Sequence, residues 1–296
     1  MRCPQTVFFY MKHQQVSYFD SPILIGCVMP GEYDMRYVTP TVCGALGVRA
    51  PSSAETGPLE EVVGTMGVVD RLAVVVIDTF GASTWTAARL EVPTFNALAN
   101  RHLLHLRSVM PTITPVNFAT MLTGASPDAH RIRDRTERLA LETIFDVLRE
   151  RGRVSATAAR AVSSLGILIL PSADRPGLAE SNTDREVSSL AVQMLEGRAD
   201  LLWVQLLDVD NAGHLHGPLS SESAAAAHRA DGHLREIAEG AYRGGYALMA
   251  LADHGQHMVV RDDGSVGGTH GTDLEEDLYV PFVWCTAREL GRALGL

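Results

Sequence analysis

Short, unbroken apolar runs recur along this chain, and several stop at an acidic residue. LAVVVI (72–77) stops at Asp78, and runs at 200–207 and 246–252 end just ahead of Asp210 and Asp253. Runs of this length, rich in Val, Ile and Leu, predict strands buried on both faces. Further strands are predicted at Leu103 to Val109 and Tyr279 to Cys285. Between them the apolar positions shift to a helical period. Leu139, Leu141, Ile144, Phe145 and Leu148 predict a helix over Leu139 to Arg151, and Val187, Leu190, Ala191 and Met194 one over Arg185 to Leu195. Others are expected at Trp85 to Leu90, Thr94 to His102 and Ser221 to Glu239. From Leu72 onward, strand therefore alternates with helix. That order predicts an α/β fold, a doubly wound, mostly parallel sheet with helices on both faces. Ligands of such sheets bind beyond the carboxyl ends of the strands, so Asp78, Asp210 and Asp253 are expected on one edge.

The first 65 residues do not share this pattern. They carry several Pro and Gly, and PSSAETGP (51–58) reads as a loop or linker. Within them VTPTVCGALGVRAP (38–51) predicts a short helix that starts after Pro40 and is closed by Gly47. The expected division is an N-terminal extension, 1–65, packed on a core of 66–296.

Composition narrows the function classes. A chain of 296 residues that is 46% hydrophobic can fill a substantial core. Its net charge of −10 argues against a nucleic-acid or anionic-membrane surface. Lys12 is the only lysine among 25 basic residues, and no function follows from that. Cys3, Cys27, Cys43 and Cys285 show no CxxC spacing, so neither a zinc knuckle nor a disulfide framework is indicated. With a start that lacks a signal-peptide h-region and no apolar run near the ~20 residues that span a bilayer, the expectation is a soluble cytoplasmic protein.

Candidate chemistry gathers at the strand ends. Asp78 alone could be a helix cap. In DNAGH, however, Asp210 and His214 lie four apart, so a turn or helix start points both at one ion. DHG adds Asp253 and His254, and GGTHG adds His270 between glycines that let backbone approach closely. Mixed carboxylate and imidazole donors suit zinc or a similar divalent ion. Thr114 sits in a Pro-bounded loop ahead of a predicted helix, Asn117 to Leu122, where unpaired N–H groups favour an anionic phosphoryl group. A metal ion on its oxygen would turn this weak nucleophile into a competent one. Three aspartates and two divalent ions leave about one positive charge, which suits a phosphoryl centre.

The segments VVVIDTFG, PTITPVNFATMLTG, DNAGHLHGP, LADHGQH and GGTHG, in this order, resemble the alkaline phosphatase superfamily. They are most similar to its nucleotide pyrophosphatase/phosphodiesterase branch, over about Leu72 to Cys285. The resemblance implies two divalent ions, zinc or manganese. Asp78, Asp253, His254 and the Thr114 oxygen would hold one, and Asp210, His214 and His270 the other. It further implies a covalent threonyl-phosphoryl intermediate on Thr114, with Asn117 hydrogen-bonded to a phosphoryl oxygen. The expected substrate is small, phosphorylated and nucleotide-like, cleaved at a phosphodiester or pyrophosphate bond. A phosphomonoesterase, a phosphonate hydrolase, a phosphomutase and a non-catalytic relative are the alternatives, and a homo-oligomer is left open.

Departures from the branch's pattern are informative. Thr79 stands where the residue after the first Asp is usually Gly, and Arg131 stands where HGI is common after His130. Arg131, Arg133, Arg135 and Arg138 form either a solvated face or a grip on a second anionic group of the substrate. Relatives also continue, after the last strand, into a helix led by Pro-Thr. Its nearest equivalent here is VTPTVCGALGVRAP near the start, the arrangement of a circular permutation.

Overall fold

A computed structural model describes residues 33–169 and 172–296. Expectations for residues 1–32, including Cys3 and Cys27, lie outside the described residues. A short 3-10 turn leads into α1 (Val38–Leu46), and α2 (Glu60–Met66) follows the 51–58 loop. Then come β1 (Leu72–Ile77), α3 (Ala82–Ala87), α4 (Pro93–Ala99), β2 (Leu103–Arg107), α5 (Thr114–Thr123), α6 (Pro127–His130) and α7 (Ile144–Glu150). Next are β3 (Ser155–Arg160), α8 (Ser164–Ile169), β4 (Arg175–Ala179), α9 (Asp184–Glu196), β5 (Leu201–Leu206), α10 (Asp208–His216) and α11 (Ser221–Gly244). The chain closes with β6 (Ala247–Leu251), β7 (His257–Val260), β8 (Val266–Thr269), α12 (Glu275–Leu278), β9 (Tyr279–Cys285) and α13 (Ala287–Leu294).

Seven strands form one sheet in the order β2-β9-β6-β1-β5-β3-β4, and β7 with β8 forms a separate hairpin. The sheet is parallel except at β9, which runs antiparallel to both β6 and β2. Helices surround it, so the doubly wound α/β expectation holds. Every residue of β1, β5 and β6 is buried, which is why these strands read as unbroken apolar runs. Ile77 pairs with Leu206 and Val76 with Leu251, so the three strands end level.

Local chemistry moved several boundaries. The helix expected from Leu139 begins at Ile144, because Thr143 and Asp146 form a capping box that starts it there. Thr114, read as a loop residue, is the first residue of α5, with extended Ile113 as its cap. β3 and β4, SATAAR and RPGLA, carry almost no β-branched residues and gave no periodic signal. β3 is buried because β5 and β4 pair with it on either side.

Thr41 to Leu46 do lie in a helix, and α1 packs on β1 and α5. α2 is one of the helices that pack on β9, where the Trp284 indole N–H donates to Thr65 Oγ1 at 2.8 Å.

Candidate active site

Three strand ends and one helix start build the site. Asp78 follows β1 and Asp253 follows β6, both fully buried. Asp210 and His214 lie one turn apart on α10, which β5 feeds. His270 arrives on the β7–β8 hairpin, where Gly213 and Gly268 let α10 and β8 touch. A Cβ on Gly268 would lie 2.7 Å from the Gly213 carbonyl oxygen, so this approach requires glycine.

The side chains gather into two sets. Donor atoms of Asp78, Asp253 and His254 lie within 4.8 Å of one another, and so do those of Asp210, His214 and His270. The two sets adjoin, with the His254 and His270 rings 4.2 Å apart. Thr114 Oγ1 stands 3.1 Å from His254 Nε2 and 3.4 Å from Asp78 Oδ1. Six of the eight residues singled out from the sequence thus bring candidate donor atoms together beside Thr114. Asn117 is the exception. It is fully buried, its Oδ1 accepts the Val109 N–H at 2.8 Å, and its amide donates to the Val109 and Ile113 carbonyls. These contacts tie Asn117 to the 109–113 loop.

Two divalent ions fit this donor set. Each histidine directs Nδ1 at a backbone carbonyl: His214 at Gly268, His254 at Gly255 and His270 at Thr112, all at 3.0 Å. Carbonyls accept only, so Nδ1 carries the proton and Nε2 is left as a lone-pair donor. His214 Nε2 and His270 Nε2 then face each other at 3.2 Å as two acceptors, which a shared cation reconciles. Asp210 Oδ1 and Asp253 Oδ2 are buried without a hydrogen-bond partner. Burial pushes Asp78 well above the usual carboxylate range, with Asp253 and Asp210 adding repulsion, and burial pushes Asp253 up to about 7. Burial also drives His270 down to about 4, helped by His254, so its imidazole is neutral and ready to ligate. A cation is what such a cluster of buried, underpaired carboxylates lacks.

The sequence model of the type I phosphodiesterase / nucleotide pyrophosphatase family matches residues 72–138 and 149–281, more than half of the chain. The chain belongs to this family. Among curated proteins none matches significantly. Solved structures share the fold at low identity. Phosphonoacetate hydrolase from Sinorhizobium meliloti 1021, in complex with phosphonoformate, is 20% identical with a TM-score of 0.52, over 66% of this chain and 58% of that one. This chain thus spans less than two thirds of that relative's length. An inactive variant of murine ectonucleotide pyrophosphatase / phosphodiesterase 5, in complex with AMP, is 13% identical with a TM-score of 0.57, over 77% and 96%. The C-terminal periplasmic domain of EcEptC from Escherichia coli, in complex with Zn, is 14% identical with a TM-score of 0.55, over 76% and 74%. Among the described residues no helix is long and apolar enough to cross a membrane.

The sequence reading missed residues around this family site. Gln205 donates Nε2–H to Asp78 Oδ2 at 2.6 Å, and its signal was available as the one polar residue inside LLWVQL. Arg160, at the end of β3, and Asn211, on α10, line the same cavity as Thr114. Arg160 escaped notice because β3 itself did.

Proposed function

We propose that this protein is a metal-dependent hydrolase of phosphodiester or pyrophosphate bonds in a small, nucleotide-like substrate, with Thr114 as its nucleophile. The observation that carries this reading is the position of Thr114 Oγ1, at the start of α5 and within 3.4 Å of both Asp78 and His254. Bound at the two donor sets, divalent ions such as zinc or manganese would supply Lewis-acid activation and offset the charge of the aspartates and phosphoryl group.

The chain's own residues do the rest. The start of α5 offers backbone N–H groups without intrahelical partners to the phosphoryl oxygens. Thr114 Oγ1 attacks phosphorus, a threonyl-phosphoryl bond forms, and the bond to the leaving oxygen breaks. Water then cleaves that intermediate, releases the phosphorylated product and restores the hydroxyl. Asn117 keeps the 109–113 loop in place and so holds the nucleophile on target. The likeness to a murine structure holding AMP supports a nucleotide-like substrate. The likeness to phosphonoacetate hydrolase supports a second reading, hydrolysis of a phosphonate on the same residues. The cytoplasmic setting rests on the cysteines, of which Cys43 and Cys285 are buried and free.

Hydrolysis of bis-p-nitrophenyl phosphate and p-nitrophenyl phosphate by chelator-stripped protein, with zinc or manganese restored, tests the reading. Faster metal-dependent cleavage of the diester is expected. Faster monoester cleavage would make the protein a phosphatase, and cleavage of neither would shift the weight to the phosphonate reading.

A further inference from the structure

Beside Thr114 opens a cavity of about 230 Å³ that also touches Asp78 and Asp210. Its remaining wall is mostly polar, with Arg135, Arg160, Ser163, Ser164, Asn182 and Asn211 outnumbering the apolar Val162 and Leu207. No aromatic ring among the described residues lines it, so stacking is not what this wall provides.

Arg160 is the informative member. Its side chain is 4% exposed. Nε and Nη2 donate to Asp184 Oδ1 at 3.0 and 2.7 Å, and Nη2 also reaches Asp208. Asp184 is itself fully buried and accepts the N–H groups of Leu207 and Asp208. These contacts hold the guanidinium rigidly, and the two carboxylates more than match its charge, which makes its burial tolerable. Nη1 makes no hydrogen bond among the described residues, in a side chain that lines the cavity. Arg135, exposed and without an ion pair among the described residues, adds an unmatched positive charge to the same wall.

We infer that Arg160 and Arg135 form a subsite for a second anionic group of the substrate, a carboxylate or a further phosphoryl group close to the phosphorus that Thr114 attacks. Arg160 supplies a preset donor, and Arg135 supplies net charge. This rests on the hydrolase reading in that it shares the Thr114 cavity. It turns the choice between solvated face and anion grip, open in the sequence for Arg135, toward the grip. A substrate with only one anionic centre leaves both arginines unused.

The test measures binding rather than turnover, so that it can fail separately from the hydrolase reading. Metal-loaded Thr114→Ala protein is titrated calorimetrically with methyl phosphate, 2-phosphoglycolate and 1,2-ethanediol bisphosphate. At least one of the last two should bind tenfold or more tightly than methyl phosphate, and which one does so names the anion. Adding Arg135→Gln should bring that ratio below about threefold while leaving methyl phosphate binding unchanged. Arg160→Lys keeps the charge beside Asp184 but loses the fork, and should also lower the ratio. A ratio near one in the starting protein, or a ratio that survives Arg135→Gln, would overturn the subsite. A tenfold ratio in a protein whose wild type cleaves no ester would retain the subsite and sink the phosphodiester and pyrophosphate reading.

Discussion

Gln205 Nε2 donates to Asp78 Oδ2 at 2.6 Å while Gln205 Oε1 accepts the Leu165 N–H at 2.9 Å. The carboxamide is therefore bolted between a neighbouring helix and the Asp78 carboxylate, whose Oδ1 is left turned to Thr114. Groups that orient a ligand from behind tune metal affinity. Gln205→Leu should lower metal affinity by about 10- to 100-fold. Competition with a chromophoric chelator reads this, and circular dichroism checks that the fold is kept. An unchanged affinity would mean that Asp78 is positioned without this bond.

Thr114 and Asp253 should separate chemistry from metal binding. Thr114→Ala should keep nearly normal metal content and lose turnover by about 1,000-fold or more, because only the nucleophile is gone. Asp253→Ala should lose both, since it removes a buried donor oxygen that has no other partner. Metal analysis after dialysis, paired with diester hydrolysis, distinguishes them. A fully active Thr114 variant would end the covalent mechanism.

Asn117 should behave as a loop clamp. Asn117→Ala leaves the Val109 N–H buried without its acceptor, and an unpaired buried group costs about 1–3 kcal/mol. Lower stability in urea, a reduced kcat and unchanged metal content are expected. A raised KM with normal stability would instead assign Asn117 to substrate contact.

His130 predicts how stability responds to acid. Its Nδ1 accepts the Ile132 N–H at 3.0 Å and its Nε2 faces Thr120 Oγ1 at 3.0 Å, so the folded ring is neutral. Burial, with Arg133 assisting, pushes its pKa down to about 4 from 6.5. As pH falls below 6.5 the unfolded chain takes up the proton first. Stability from this site is complete above pH 6.5 and drains away toward pH 4, at a limit of about 1.4 kcal/mol per pH unit. Urea denaturation at pH 7 and pH 5 should show the advantage of wild type over His130→Gln shrinking by about 1–2 kcal/mol. An advantage independent of pH would refute this.

The chain's own order of residues determined the parts of this protein that depend on local pattern. Strands buried on both faces need unbroken apolar runs, so β1, β5, β6 and β9 were legible, and with them the strand ends that carry Asp78 and Asp253. Ligand spacing was legible for the same reason, because Asp210 and His214 share one helix face at four residues apart. What only the tertiary structure decided depends on pairing across long separations. SATAAR became a strand because two neighbours bury it, and that pairing delivered Arg160 to the Thr114 cavity. Asn117 was turned inward by carbonyls of its own loop. Thr79 and Arg131, the two places where the chain departs from a family glycine, both have positive φ, 57° and 62°. Such a conformation costs a side-chain-bearing residue about 1–2 kcal/mol, and surrounding contacts must hold it. At Thr79 one such contact is visible, its N–H donating to Asp253 Oδ1 at 3.3 Å. The glycine pattern marked the turns, but only the fold shows that these turns persist without the glycines, because a contact 174 positions away holds the first of them in place.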